Sequence, residues 1–235
     1  MPVVILLVGP TGSGKSTFVN HLLSPGRNMA KVGAKGDEKP CTKTCARYDI
    51  AVDGNDYILI DTPGFENHQP SHFKTLTRIS ELQKNTGVDP LTITGAIYFH
   101  RITDGKHSGP LRDDLRIFRE MCGEDFFPCV AFVTTTWDIL NKRARESRYE
   151  KYNDDLDRRY LRFSEQGPEI FKCFNDRPTC SAVVRHFSKL ATSSGGKRNE
   201  LLLFKELSSG VKVRWTAAGK ITQKPSRGNK GCIIL

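Results

Sequence analysis

The chain has 235 residues, 37% of them hydrophobic, and its 36 Lys and Arg against 26 Asp and Glu leave a formal charge of +10. That composition supports a packed core, excludes a wholly disordered chain and points to an acidic partner: a nucleotide, a nucleic acid or an anionic membrane face. No apolar run has the length of a membrane span and no charged-then-apolar leader precedes the first strand, so the seven cysteines are expected to be reduced thiols of a cytoplasmic protein.

In chain order, the β-rich runs PVVILLVG, YDIAV, YILIDT, GAIYFH, CVAFVTT and EIFKCF alternate with helical patterns. The helices are STFVNHLLS, SHFKTLTRISELQKN, GPLRDDLRIFREMCG, a long charged stretch after Trp137, SAVVRHFSKL and NELLLFKELSSG. This alternation predicts an α/β fold with three α/β/α layers and a mostly parallel sheet. One antiparallel strand is expected, through a hairpin turn at VDGND. The charged stretch interleaves acids with bases as a solvated helix does, and no aromatic-basic stacking motif accompanies it, so nucleic acid is not an expected partner. Cys41 and Cys45 resemble half a zinc site, yet no second pair stands at finger or ribbon spacing. The expected organisation is a nucleotide-binding domain over 1–210 and a flexible basic tail over 211–235, where bases occur without acids.

The segment Gly9-Pro10-Thr11-Gly12-Ser13-Gly14-Lys15-Ser16-Thr17 satisfies G-x-x-x-x-G-K-[ST] between a buried strand and a helix start. Backbone N–H groups wrapped by glycines cradle phosphates, Lys15 reaches the β- and γ-phosphates, and Ser16 is a magnesium ligand. A carboxylate at Asp61, followed by Thr62-Pro63-Gly64, supplies a second hold on magnesium and a Gly64 N–H for the γ-phosphate. At the end of FVTTTWD, Asp138 is placed to accept both N–H donors of guanine's edge; it also stands at a helix start, where an N-cap is the plain alternative. Expected ligands are therefore GTP or GDP with Mg2+.

These ordered motifs resemble those of translation-factor-class GTPases. CTKTC at 41–45 resembles the switch I motif of the immunity-associated (IAN or GIMAP) GTPases, relatives of septins and chloroplast import GTPases, and the TTTWD style is similar to that of fungal members. The resemblance covers roughly residues 3–190 and implies a switch threonine that completes the magnesium shell, Thr42 being favoured over Thr44, with a plain turn or strand residue the alternative for either. It also implies that Asn175, in FKCFND, contacts guanine. Two departures stand out. Thr136 replaces the lysine usual two residues before the aspartate, shortening the wall over the base. Phe65 occupies the place where many small GTPases carry a water-orienting glutamine, which implies slow hydrolysis.

Two further features bear on function. Arg101, leaving a buried strand in YFHRITD, resembles the segment from which such GTPases present an arginine across a nucleotide-facing homodimer; the alternative is a salt bridge with Asp104. The terminal Cys232-Ile233-Ile234-Leu235 satisfies C-a-a-X, and the preceding bases, Lys212, Arg214, Lys220, Lys224, Arg227 and Lys230, would add the second membrane signal. The expectation is a GTPase of low intrinsic activity, dimer-stimulated and held as a switch on the cytoplasmic face of a membrane. A scaffold that binds nucleotide without turnover, and an ATP-dependent small-molecule kinase, are the rival readings.

Overall fold

A computed structural model of the chain describes residues 2–26, 28–33, 42–65, 69–103, 109–139, 147, 168–193 and 199–223. Six strands form one sheet: β1 (Val3–Val8), β2 (Ala46–Val52), β3 (Asn55–Asp61), β4 (Gly95–Arg101), β5 (Val130–Thr135) and β6 (Glu169–Lys172). Their order is β2-β3-β1-β4-β5-β6. Every pairing is parallel except β2 with β3, which closes through the expected turn at Asp53-Gly54. The helices are α1 (Lys15–Leu22), α2 (Gln69–Ser80), α3 (Leu82–Thr86), α4 (Gly109–Cys122), α5 (Arg177–Ser193), α6 (Leu202–Ser208) and α7 (Ala217–Thr222).

β1 explains why there are three layers. All six of its residues are buried, and because successive side chains point to opposite faces, it feeds two cores. Val3, Ile5 and Leu7 pack with Phe18, Val19 and Leu22 of α1 and with Val183, Val184 and Phe187 of α5. Val4, Leu6 and Val8 pack against the other face with Leu76 and Ile79 of α2, Leu115 and Phe118 of α4, Leu203 and Phe204 of α6 and Ala218 of α7. The fold is the mostly parallel α/β/α sandwich anticipated from the strand-helix alternation.

The parallel register aligns the strand ends. Leu7 lies opposite Asp61, Val8 opposite Tyr98, and Arg101 opposite Thr135. The loops after β1, β3, β4, β5 and β6 therefore share one edge, the edge where open α/β sheets bind ligands.

The chain stays folded further than the expected tail boundary. After Val211 come a 3-10 turn at Val213–Trp215 and then α7. Thr216 Oγ1 accepts from Gly219 N at 3.0 Å, and Ala217 N donates to the Glu206 carboxylate at 3.0 and 3.1 Å. The six-residue helix AAGKIT is too short to carry a readable periodicity; Ala218 is buried because α4 lies against it. Residues 224–235, with Lys224, Arg227, Lys230 and Cys232, lie outside the described residues, as do Cys41, Asp104 and nearly all of the charged stretch after Ile139. Among the described residues, no helix is long and apolar enough to cross a membrane.

Candidate nucleotide-binding site

The loop after β1 turns where a side chain would not permit it. Gly14 caps α1 at φ 96°, a left-handed backbone that glycine adopts without penalty. The turn delivers the Lys15 ammonium beneath the loop, where it donates to the carbonyls of Gly9 (3.0 Å) and Pro10 (2.9 Å). Burial lowers Lys15 to about 8, against the opposing pull of Asp61 and Asp114. A buried cation held by two carbonyls, at a helix start, is poised to exchange desolvation for phosphate contact.

Three oxygens from distant segments converge beside it. Ser16 Oγ donates to Asp61 Oδ2 at 2.7 Å, Thr42 Oγ1 donates to the same oxygen at 3.1 Å, and the two hydroxyls are 3.4 Å apart. Asp61 is 1% exposed and burial pushes its carboxyl above its ordinary value, although Lys15 and both hydroxyls oppose the shift. Its second oxygen, Oδ1, is buried with no hydrogen-bond partner. An orphaned carboxylate oxygen beside two hydroxyls is the donor set of a hard divalent cation such as Mg2+. Thr42 is part of this cluster, whereas Thr44 is exposed.

Asp61-Thr62-Pro63-Gly64 is held from both sides. Thr62 Oγ1 donates to Leu7 O at 2.6 Å, and Thr75 Oγ1 of α2 to Gly64 O at 3.2 Å. Phe65 N donates to Gly9 O at 3.2 Å, and Thr11 N donates to Phe65 O at 2.9 Å, so the segment after Gly64 runs as a short bridge along the phosphate loop. The Phe65 ring is 1% exposed and sits in the core edge-on to His72, with ring centres 5.9 Å apart. Its side chain offers nothing that could orient a water.

At the far end of the same edge, Asn175 Nδ2 donates to Asp138 Oδ1 at 3.0 Å. Asn175 has φ 57°, a conformation asparagine tolerates better than most residues. Trp137, fully buried, anchors the Asp138 loop by donating from Nε1 to Thr134 O at 3.0 Å and Thr134 Oγ1 at 2.9 Å. Thr136 has φ 62° and spends its hydroxyl on Thr135 O at 2.6 Å. Behind the Asn175 loop, Arg177 Nη1 donates to Leu22 O at 3.1 Å at the end of α1.

The structure thus brings together Lys15, Ser16, Thr42 and Asp61 at one end and Asp138 and Asn175 at the other, with the loop of Gly9–Gly14 between. It seats Arg101 against its own chain: a methyl added at Gly12 would lie 3.3 Å from Arg101 Nη1. Thr135 went unassigned in the sequence reading although it opens the Thr-x-x-Asp pattern. Its Oγ1 donates to Ser13 O at 2.9 Å and ties the phosphate loop to β5. Among the described residues no cluster of three or more His, Cys, Asp or Glu forms a metal site; Cys45 is a buried thiol donating to Arg78 O at 3.6 Å.

A family model for 50S ribosome-binding GTPases matches residues 4–92, the stretch from β1 through the segments carrying Lys15, Thr42, Asp61 and Gly64. Toc33 from Arabidopsis thaliana, solved with GDP and Mg2+, superposes with a TM-score of 0.63 at 17% identity, covering 85% of this chain and 87% of that one. A second similar structure belongs to the chloroplast translocon components atToc33 and psToc159, for whose GTPase activity dimerization is important. It has the same TM-score of 0.63 at 17% identity, over 85% of this chain and 86% of that chain. A bacterial selenocysteine-specific elongation factor, EF-Sec, gives 0.54 at 16% identity over 82% of this chain and 29% of its own. The fold is that of the P-loop GTPases. A curated relative, the probable FAD-binding monooxygenase ltbD of Aspergillus luteorubrus, is 26% identical over 186 residues. The match spans 71% of this chain and only 37% of that protein. The dinucleotide fingerprint G-x-G-x-x-G is absent from the present sequence.

Proposed function

We propose that the chain binds GTP and GDP with Mg2+ and hydrolyses GTP slowly, as a switch related to the septin and chloroplast import GTPases and, by its CTKTC and FND motifs, to the immunity-associated group and its fungal members. The carrying observation is the pairing of two separate centres on one sheet edge: the Ser16, Thr42 and Asp61 oxygens with buried Lys15, and the Asp138–Asn175 pair. The first suits a triphosphate with its cation. The second presents a carboxylate to a base edge bearing two donors, which guanine has and adenine lacks.

Magnesium, when bound, neutralises charge on the β- and γ-phosphate oxygens. Within the chain, loop N–H groups and Lys15 would hold the phosphates, Ser16, Thr42 and Asp61 would hold the metal, and the Gly64 N–H would donate to the γ-phosphate. With Phe65 turned into the core, no side chain at that position orients the attacking water, which supports slow turnover by the lone molecule.

The importance of dimerization for GTPase activity in atToc33 and psToc159 supports a homodimer here as well. The exposed Lys212, Arg214 and Lys220 and the acid-free run that follows support a location on the cytoplasmic face of an anionic membrane, with Cys232 the site of lipid attachment if Leu235 ends the chain. Membrane fractionation of wild type against Cys232→Ser tests that part; equal partitioning removes it. The catalytic part is tested by specific GTPase activity across protein concentration. Activity per molecule is expected to rise as dimer forms, and turnover absent at every concentration, with GTP bound, makes the chain a nucleotide-bound scaffold instead.

A further inference from the structure

The phosphate loop has two sides. On one, Thr11 N is bonded to Phe65 O and the Thr11 backbone packs against Gly64, so this side faces the segment that meets a γ-phosphate. On the other, the loop leans on the ends of β4 and β5. Thr135 Oγ1 bonds Ser13 O at 2.9 Å, and a methyl placed on Gly14 would lie 3.3 Å from Thr135 Cγ2. Two residues before Gly14, a methyl placed on Gly12 would lie 3.3 Å from Arg101 Nη1 and 4.0 Å from its Cζ. Arg101 and Thr135 are opposite one another in the β4–β5 register. Together they back the loop on the side of the base-reading residues.

Thr136 is next in the chain to Thr135 and occupies the place where a lysine is usual. It has neither the reach nor the charge of lysine, and its hydroxyl is turned back onto Thr135 O. A β-branched residue at φ 62° is also an unusual tenant of that backbone.

We infer that Arg101 is a nucleotide-positioning residue of its own chain, supplying from β4 the cation and aliphatic stem that the lysine replaced by Thr136 would supply from β5. The inference rests on the site being a guanine-nucleotide site and assigns a different role from an arginine acting across a dimer. On the base side of the loop, the guanidinium serves the part of the ligand that GDP and GTP share. A trans arginine acts on the transferring phosphoryl group and leaves GDP affinity alone.

The test is equilibrium binding of GDP and of a non-hydrolysable GTP analogue, with Mg2+, to the full chain. Arg101→Ala should lose at least tenfold in affinity for both ligands alike, the scale of a charge-assisted contact. Arg101→Gln, which keeps a stem without the charge, should show the same direction and serves if the alanine variant does not fold, as judged by its nucleotide-free melting temperature. Adding Thr136→Lys to Arg101→Ala should restore most of the loss, since lysine is no worse than threonine in that backbone. Wild-type GDP affinity in both single variants, a loss confined to the GTP analogue, or no recovery in the double variant would each overturn the inference. A wild type that binds neither ligand would instead remove the guanine-nucleotide reading itself.

Discussion

Asp138 and Asn175, 37 residues apart, meet side chain to side chain at 3.0 Å and join the loops after β5 and β6. A carboxylate offers about four acceptor sites, and Asn175 engages one of them on Oδ1. Asp138→Asn should therefore cost about 1.5–3 kcal/mol in GTP affinity and shift preference towards xanthosine nucleotides, whose edge carries an acceptor there. Competition among GDP, XDP and ADP measures this. Equal binding of GDP and ADP by the wild type would remove the base assignment.

Lys15 sets a pH dependence. With its ammonium lowered to about 8, the nucleotide-free protein loses that charge as pH rises through 8, whereas the unfolded chain holds its proton to 10.5. GTP affinity should thus fall between pH 7.5 and about 9.5, and binding near pH 8.5 should take up a proton, visible as a dependence of binding heat on buffer ionisation enthalpy. The sign for folding is opposite. Between 8 and 10.5 the unfolded state binds more protons, so the Lys15 contribution to nucleotide-free stability rises with pH. Lys15→Met should abolish both trends and tight triphosphate binding.

The oxygen cluster predicts graded metal effects. Thr42→Ala removes one hydroxyl from Asp61 Oδ2 and leaves Ser16 in place at 2.7 Å. It should weaken Mg2+-dependent GTP affinity while sparing binding measured in chelator. Ser16→Ala should weaken the Mg2+ dependence further. A magnesium titration at fixed GTP analogue reads both, and an unchanged half-saturation point in either variant contradicts the assigned ligand.

Gly64 is a packing requirement as well as the residue whose N–H is proposed to meet the γ-phosphate. A methyl there would stand 2.5 Å from Thr11 N and 2.6 Å from Thr11 Cα, contacts that only backbone movement relieves. Gly64→Ala should lower stability by about 1–3 kcal/mol and suppress GTP turnover more than GDP binding. Thermal unfolding and single-turnover hydrolysis report the two effects separately.

Local pattern carried the strands, the phosphate loop and the positions of Asp61 and Asp138 into view, because a buried parallel strand is a continuous apolar run and a loop with left-handed glycines admits few residue types, while Asn175 came through the family resemblance of FKCFND. The hairpin at Asp53-Gly54 was legible for the same reason. Three things were decided by packing alone. α7 is folded because Glu206 and α4 lie where Ala217 and Ala218 can reach them, which no pattern of six residues announces. Thr42 joins Ser16 and Asp61 because the segment entering β2 returns past the β3 end, a closure across 26 and 19 residues. Arg101 rests on Gly12 because the β4–β5 register sets it opposite Thr135; sequence shows an arginine at a strand exit, and only the tertiary arrangement says which phosphate loop it faces.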